Sequence, residues 1–361
     1  MTKKTIAFIV VVSICFLTVV GFHIKNTFMI PYCKVDVSGN IVNNDYNNYL
    51  VGADLVRLDD KLYYNYVKSG RCYGLIEISE TGSKRVFWKG IKMDAYKLTH
   101  FIRKENSELL MMLDDKVNRY IPETQTFEYS DTYKDIPCSN LDFQRSGDGI
   151  YYLSYFENPY ASGASAAYYD KKYIAYYDEK GEEVVVNKEV DAFNIVGDNI
   201  FYLVRERKDG KQISRLNKYN IAEKTDTVIC ETSELYFYTE FLIEDNHIVF
   251  KAFNQETREE GVYKINVVHE NAQIETVCTE NKQKDSDYNI CLFNVFDKKI
   301  YVASNYGVEC YDLSTNKGLQ LCTKYARECY ILDDKWVYFI GDENVLWRVA
   351  QDGSVTEKVY G

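Results

Sequence analysis

The sequence predicts an all-β fold, a β-propeller of about seven four-stranded blades that follows an N-terminal transmembrane helix. Three observations support this prediction. Tyrosine occurs 33 times and aromatic residues make up 15% of the 361 residues, and aromatic side chains suit pleated, half-buried strands. A hairpin pattern recurs along the chain with a regular period. The N-terminus contains a long uncharged apolar segment.

The N-terminal segment predicts a membrane anchor. Residues 5–22 carry no charged side chain, and a helix of that length approaches the thickness of the hydrocarbon core. Lys3 and Lys4 precede the segment, so the positive-inside bias places the N-terminus in the cytoplasm and the remainder outside. A cleaved signal peptide and a buried core helix are the alternatives. The first lacks an Ala-x-Ala cleavage pattern, and the second lacks a polar face.

The predicted order is a cytoplasmic tail (1–4), a transmembrane signal anchor (5–22), a linker (23–33) and an extracytoplasmic β-propeller (34–361). The chain is therefore expected in the cell membrane, with a single pass. Its formal net charge is −11, and every acidic residue lies in the predicted propeller. This charge excludes general attraction to nucleic acid and disfavours anionic membrane surfaces as partners.

Each repeat opens with an acidic turn that precedes an alternating aromatic strand. Gly197-Asp198-Asn199, for example, leads into Ile200-Phe201-Tyr202. Asp, Asn and Gly tolerate left-handed turn conformations, and the residues that follow alternate as a strand does. Similar turns precede the strands that begin near residues 62, 150, 248, 300 and 337, and a degenerate copy runs through 108–112.

A second hairpin completes each repeat and sets its period. Its turns centre near residues 82, 124, 181, 224, 271, 318 and 353, a mean spacing of about 45 residues, which is the length of a four-stranded propeller blade. Residues 33–41 look like an eighth copy that would close the ring by pairing with the last blade, so six or eight blades also fit. Two unrelated β-sandwiches, the alternative fold, do not explain the regular period.

These motifs resemble those of TolB-like and low-density-lipoprotein-receptor-like β-propellers. They are most similar to those of bacterial, clostridial-type membrane-anchored propellers. The resemblance rests on the acidic turn followed by Ile/Leu/Val-Tyr-Tyr/Phe and on the hairpin seen at Arg348 to Gly353, and it covers residues 34–361. It implies a fold and says little about chemistry.

The cysteine pattern argues against a metal centre. Nine of the ten cysteines follow the predicted anchor, an odd number for a disulfide framework. The chain has no Cys-x-x-Cys motif, and its four histidines are scattered, so a zinc site is not expected. Cys230 and Cys278 occupy strand positions, which favours buried thiols over a full disulfide framework.

The sequence contains no motif that indicates catalysis, and no cofactor or metal is predicted. Acidic pairs such as Asp59-Asp60 and Asp333-Asp334 fall in repeat turns, where they favour turn geometry over acid–base chemistry. The segment Asp285-Ser286-Asp287 begins like an EF-hand loop, but Ile290 and Phe296 stand where Gly and Glu are required; a looser calcium site is the alternative. Nucleophile-elbow, phosphate-loop and zinc-protease motifs are absent.

One segment, residues 154–172, interrupts the repeat and is the predicted binding loop. Long loops between scaffold strands are common binding sites, and tyrosine offers a large contact area with a polar tip. An aromatic-rich strand extension is the alternative. The candidate binding residues are Tyr155, Phe156, Tyr160, Tyr168 and Tyr169.

The predicted function is binding at the cell envelope. A membrane-anchored propeller would present one face or the loop to an envelope protein, peptide or glycan. The alternative is a hydrolase that acts on extracellular glycans through carboxylates in the propeller channel, and a structural partner of a membrane complex is a third interpretation. Clustered carboxylates around a polar channel would favour the hydrolase, whereas a plugged channel with an exposed tyrosine surface would favour the binding protein.

Overall fold

The computed structural model contains seven four-stranded antiparallel sheets, which confirms the predicted seven-bladed propeller. Every sheet is built from four strands that are consecutive in the chain. The residues that the structure describes are 12–18, 30–37, 39–52, 54–68, 71–87, 102–105, 107–113, 116–133, 143–146, 149–155, 172–268, 273–280 and 289–361.

The first four blades contain the first sixteen strands of the chain. They are β1 (Leu55–Leu58), β2 (Lys61–Lys68), β3 (Arg71–Ser79) and β4 (Gly82–Phe87) in blade 1; β5 (Ile102–Glu105), β6 (Glu108–Leu113), β7 (Lys116–Ile121) and β8 (Thr126–Tyr129) in blade 2; β9 (Phe143–Ser146), β10 (Gly149–Tyr155), β11 (Lys172–Asp178) and β12 (Gly181–Val186) in blade 3; β13 (Ala192–Val196), β14 (Asn199–Lys208), β15 (Lys211–Asn220) and β16 (Thr225–Thr232) in blade 4.

The last three blades complete the ring. They comprise β17 (Leu235–Glu244), β18 (His247–Asn254), β19 (Glu260–Asn266) and β20 (Glu275–Thr279) in blade 5; β21 (Ile290–Phe296), β22 (Lys299–Ser304), β23 (Gly307–Asp312) and β24 (Gly318–Cys322) in blade 6; β25 (Glu328–Ile331), β26 (Trp336–Ile340), β27 (Leu346–Ala350) and β28 (Thr356–Tyr360) in blade 7. Short 3₁₀ turns lie at Asp131–Tyr133 and Asp342–Asn344.

The acidic turns connect the first and second strands of the blades. In blade 5, Asp245 and Asn246 have φ of 46° and 63°, and in blade 6, Asp297 and Lys298 have φ of 50° and 59°. Two successive left-handed residues form the type I′ turn, whose twist matches that of the flanking strands. Asp and Asn tolerate this conformation better than other non-glycine residues, which explains the acidic composition of the repeat.

The abundance of tyrosine follows from how the blades pack. Eight of the largest fully buried side chains are tyrosines, and several carry their hydroxyl to a carboxylate at the edge of the same blade. The hydroxyl of Tyr152 donates to Glu182 at 2.8 Å, and that of Tyr202 donates to Asp226 at 2.7 Å. The rings thus fill the apolar space between blades while their polar tips stay hydrogen-bonded.

The segment before blade 1 closes the ring without adding a strand to blade 7. Ile41 forms only an isolated bridge with Asp333 of blade 7, and Val35 donates its backbone N–H to Ser79 of blade 1 at 3.1 Å. Val35 and Val37 are buried in the apolar cluster that includes Leu62 of blade 1. The predicted pairing of residues 33–41 as an eighth hairpin is therefore reduced to one bridge, hydrogen bonds between Asn40 and Asp334, and side-chain packing.

A short helix, Asp45–Val51, follows this segment and is called the plug helix. It contacts the first strands of blades 1, 2, 5, 6 and 7. Contact with the first strands of blades on several sides of the ring places it within the central channel. Gly52 ends the helix, and its backbone N–H bonds to the carbonyl of Tyr49.

The predicted cytoplasmic tail and most of the predicted anchor lie outside the described residues. Residues 12–18 of the anchor are helical. No helix in the described part of the chain has the length and apolar character needed to span a membrane.

The described cysteines carry free thiols, as the strand pattern suggested. They are Cys15, Cys33, Cys230, Cys278, Cys291, Cys310, Cys322 and Cys329. Burial raises the pKa of the Cys329 thiol well above its usual range, so this group is an inert part of the core. Cys138 lies outside the described residues, and the side chain of Cys72 is not described.

Candidate functional site

The sequence-predicted binding loop lies largely outside the described residues. Phe156, Tyr160, Tyr168 and Tyr169 all fall there. Tyr155 ends β10, where its backbone pairs with Lys172 at the start of β11. The loop thus joins the second and third strands of blade 3, and the binding role of its aromatic residues stays a prediction.

A cavity of about 600 Å³ occupies one end of the central channel. Its walls come from the first strands of blades 2 to 6, and the N-terminal part of the plug helix forms its inner end. It lies where these strands end, because its lining includes their last residues: Glu105, Val196, Glu244 and Phe296. The lining side chains are therefore positioned by the backbone hydrogen bonds of several sheets.

Hydrogen bonds among asparagine side chains fix the plug helix to blades 6 and 7. The amide of Asn48 donates to the carbonyl of Ile331 at 2.6 Å and accepts its backbone N–H at 2.8 Å. Asn294 donates to the Asn48 carbonyl oxygen at 2.8 Å. Asn44 in turn donates to Asn294 at 3.1 Å. These buried amides satisfy one another and hold the helix in the channel.

Most of the charge in the cavity is paired. Lys104 forms an ion pair with Asp45 at 3.2 Å, and Arg103 forms one with Glu105 at 2.5 Å. Burial raises the pKa of Asp45 above its ordinary value, although the neighbouring Lys104 opposes this shift. Glu244 accepts the backbone N–H of Lys298 at 3.3 Å. Each of these three carboxylates thus bonds to a cationic side chain or to a backbone N–H group.

Arg103 is part of the wall of the channel. Its guanidinium lies 4.8 Å from the ring centre of Phe143, 5.1 Å from that of Tyr46 and 5.6 Å from that of Tyr49. It also donates to the backbone carbonyl of Phe143. Stacking on several rings and an ion pair hold this side chain in one place.

At one register, a side chain from the first strand of blades 2, 3 and 6 reaches the first strand of the next blade. Arg103 of blade 2 donates to the Phe143 carbonyl of blade 3. Gln144 of blade 3 donates to the Phe193 carbonyl of blade 4 at 3.3 Å. Asn294 of blade 6 donates to the Cys329 carbonyl of blade 7 at 3.0 Å. We call these contacts the inter-blade bridges.

A second polar cluster joins blades 7 and 1. The carboxylate of Asp54 accepts a hydrogen bond from Asn65 at 2.9 Å, and Arg327 bonds to Glu328 at 2.7 Å. The Tyr330 hydroxyl donates to Glu328 at 2.5 Å. Burial and the nearby charge of Glu328 raise the pKa of Asp54 to about 7. Neither carboxylate lines the central cavity, so the cluster is best explained as part of ring closure.

A metal centre is not evident in the described part of the chain. No group of three or more His, Cys, Asp or Glu residues there is arranged to hold a metal ion. The calcium-loop alternative at Asp285–Asp287 lies outside the described residues.

Sequence reasoning missed the plug helix and the cavity. The available signal was the run Asn43-Asn44-Asp45-Tyr46-Asn47-Asn48, because Asn and Asp are favoured at a helix N-terminus. The bridging role of Arg103 and Gln144 had no comparable signal, because their partners are backbone carbonyls of other blades.

No protein-family model and no curated protein matches this chain, but solved structures match its fold. An oligogalacturonate lyase in complex with manganese has 8% identity and a TM-score of 0.56, over 89% of this chain and 97% of that chain. The β-propeller domain of the Trilobed protease from Pyrococcus furiosus, with an open velcro topology, has 10% identity and a TM-score of 0.52, over 85% and 97%.

A third match is the extracellular domain of a proposed one-component system from B. thetaiotaomicron, with 12% identity and a TM-score of 0.50. It covers 89% of this chain, which spans only 43% of that chain. At such identities these neighbours show the fold alone.

Proposed function

We propose that this chain is a membrane-anchored, extracytoplasmic binding module of the cell envelope, which takes its ligand into the central cavity. The observation that carries the proposal is the cavity itself, about 600 Å³ in volume and bounded by rigid first strands and the plug helix. A concave site of this size on a rigid scaffold is typical of ligand binding.

The charge pairing in the cavity favours binding over hydrolysis. A glycosidase needs two carboxylates free to act on opposite sides of a glycosidic bond. Here Asp45 and Glu105 are held in ion pairs with Lys104 and Arg103. The plug helix in the channel meets one half of the condition that favours the binding protein; the exposed tyrosine surface, its other half, falls outside the described residues.

Two observations support the envelope location. Residues 5–22 form an uncharged segment of spanning length, and a matched propeller is an extracellular domain. The repeat motifs further suggest kinship with clostridial-type membrane-anchored propellers. Protease accessibility of the full-length chain in intact cells tests the location: residues 34–361 should be cleaved from outside. Protection until the membrane is opened would contradict the proposal.

Blocking the cavity tests its role as the ligand site. Val196 is 48% exposed and lines the cavity, whereas Val228 of the same blade is 57% exposed and lies outside it. The full-length chain should bind a pool of solubilised envelope glycans and peptides in calorimetry. Val196→Arg should abolish that binding, while the control Val228→Arg should retain it. Equal binding by both variants would move the site elsewhere, and new reducing ends during incubation would favour the hydrolase.

A further inference from the structure

We propose that the central cavity binds a neutral saccharide, and that Asn194 is the residue that hydrogen-bonds its hydroxyl groups. This inference rests on the proposed function and names the ligand class of that site. It starts from the inter-blade bridges, in which Arg103, Gln144 and Asn294 each reach a backbone carbonyl of the next blade.

Asn194 occupies the same register in blade 4 but forms no such bridge. Like Gln144 and Asn294, it lies two residues before the last residue of its first strand. Its side chain is only 4% exposed, and among the described residues its amide has no hydrogen-bond partner. The amide atoms are not fully enclosed, so they reach the solvent of the cavity that Asn194 lines.

The missing bridge has a structural cause in blade 5. The first strand of that blade pairs irregularly with its neighbour, because the register shifts between Phe237 and Phe241. The contact between blades 4 and 5 combines a buried apolar cluster, which includes Phe201, Phe237 and Phe241, with a hydrogen bond from Arg205 to the Phe237 carbonyl at 3.4 Å. Arg205, rather than Asn194, therefore supplies the side-chain bond to the first strand of blade 5.

The amide of Asn194 is directed to the cavity, whose lining includes this residue. A carboxamide offers two N–H donors and one carbonyl acceptor side by side. Adjacent hydroxyl groups of a sugar ring present the matching combination, because each hydroxyl both donates and accepts. Phe296 lines the same cavity and supplies aromatic surface for the apolar face of such a ring, whereas Tyr46 already stacks on Arg103.

The charge of the cavity favours a neutral ligand. Three cationic and three anionic side chains line it. Two pairs neutralise each other, Lys104 with Asp45 and Arg103 with Glu105. The remaining Arg145 and Glu244 have opposite signs, so the site gives no net preference for an anion or a cation.

The test uses the full-length chain in mild detergent and a defined probe panel. The panel contains glucose, galactose, mannose, N-acetylglucosamine and their β-linked disaccharides, together with digalacturonic acid and a neutral hexapeptide. Binding is measured by calorimetry and by saturation-transfer NMR. At least one neutral sugar should bind, and Asn194→Leu should weaken its Kd at least tenfold with no loss of Tm. Asn194→Asp, which keeps the shape but loses the N–H donors, should weaken binding as well.

Asn217→Leu is the matched control. Asn217 lies in the same blade, is 3% exposed and has an unpartnered amide nitrogen, but it is not part of the cavity lining. This variant should bind the sugar as the unaltered chain does. Sugar binding that survives both Asn194 variants would overturn the role of Asn194.

The other outcomes separate the two proposals. Binding of the hexapeptide or of digalacturonic acid alone would overturn the neutral-saccharide ligand while leaving the binding module intact. If neither this panel nor the envelope pool binds, the proposed function itself fails.

Discussion

The contacts between blades 6 and 7 and between blades 4 and 5 are built from different chemistry. Between blades 6 and 7, Asn294 bonds to Asn44, Asn48 and the Cys329 carbonyl. Between blades 4 and 5, the Asn194 side chain at the same register has no partner in the described residues; Arg205 bonds to the Phe237 carbonyl instead, and phenylalanines fill the rest of the contact. The same residue type is therefore structural where the plug helix reaches it and available to a ligand where it does not.

The largest loss of stability is expected when the Asp333 carboxylate, which joins blade 7 to blade 1, is removed. Asp333 is fully buried and forms an ion pair with Arg57 of blade 1 at 3.0 Å. It also accepts hydrogen bonds from the Tyr338 hydroxyl and the Trp336 backbone. Asp333→Ala leaves the buried guanidinium uncompensated, so the free energy of unfolding should fall by about 3–5 kcal/mol, measured by urea denaturation.

The matched control is an exposed ion pair between blades 3 and 4. Lys224 and Glu183 lie 3.8 Å apart and are 75% and 67% exposed. Glu183→Ala should leave the urea midpoint unchanged, because such pairs are screened by solvent. Equal effects of the two substitutions would show that the polar contact between blades 7 and 1 does not close the ring.

The junction of blades 7 and 1 should also respond to pH. Burial and Glu328 raise the pKa of Asp54 to about 7, above its ordinary value. The folded state therefore favours the protonated carboxyl, and this contribution to stability is lost as pH rises from about 4 through 7. Asp54→Asn should flatten that part of the pH profile of unfolding and raise stability at pH 8. Parallel profiles for the two proteins would contradict the assignment.

The smallest effect is expected from the predicted binding loop. Tyr160→Ala together with Tyr168→Ala should leave Tm nearly unchanged if the loop is a contact surface, because exposed side chains contribute little to stability. Thermal unfolding followed by circular dichroism measures this. A large fall in Tm would show that Tyr160 and Tyr168 belong to the core and would contradict the binding-loop hypothesis.

The repeating parts of this fold were readable from the sequence because they are local. The acidic turns need left-handed residues, as Asp245 and Asn246 show, and the period of about 45 residues fixes the blade length. The plug helix escaped prediction because a seven-residue helix is too short for a periodic signal.

The candidate site could not be predicted, because its properties depend on contacts between distant segments. Asn194 and Asn294 look alike in sequence, and only the register shift in blade 5 and the position of the plug helix distinguish them. Asp333 was correctly placed in a turn, but its ion pair with Arg57 joins residues 276 positions apart. No local pattern encodes such a pairing.

The most direct test of the account compares Asn294→Leu with Asn194→Leu in urea denaturation of the full-length chain. Asn294→Leu removes the acceptor of the Asn44 amide and the donor to the Asn48 and Cys329 carbonyl oxygens, so it should cost about 1–3 kcal/mol. Asn194→Leu breaks no hydrogen bond within the described residues and should leave stability unchanged or raise it. Similar losses in both variants would show that Asn194 serves the fold, and the cavity would lose its ligand-binding amide.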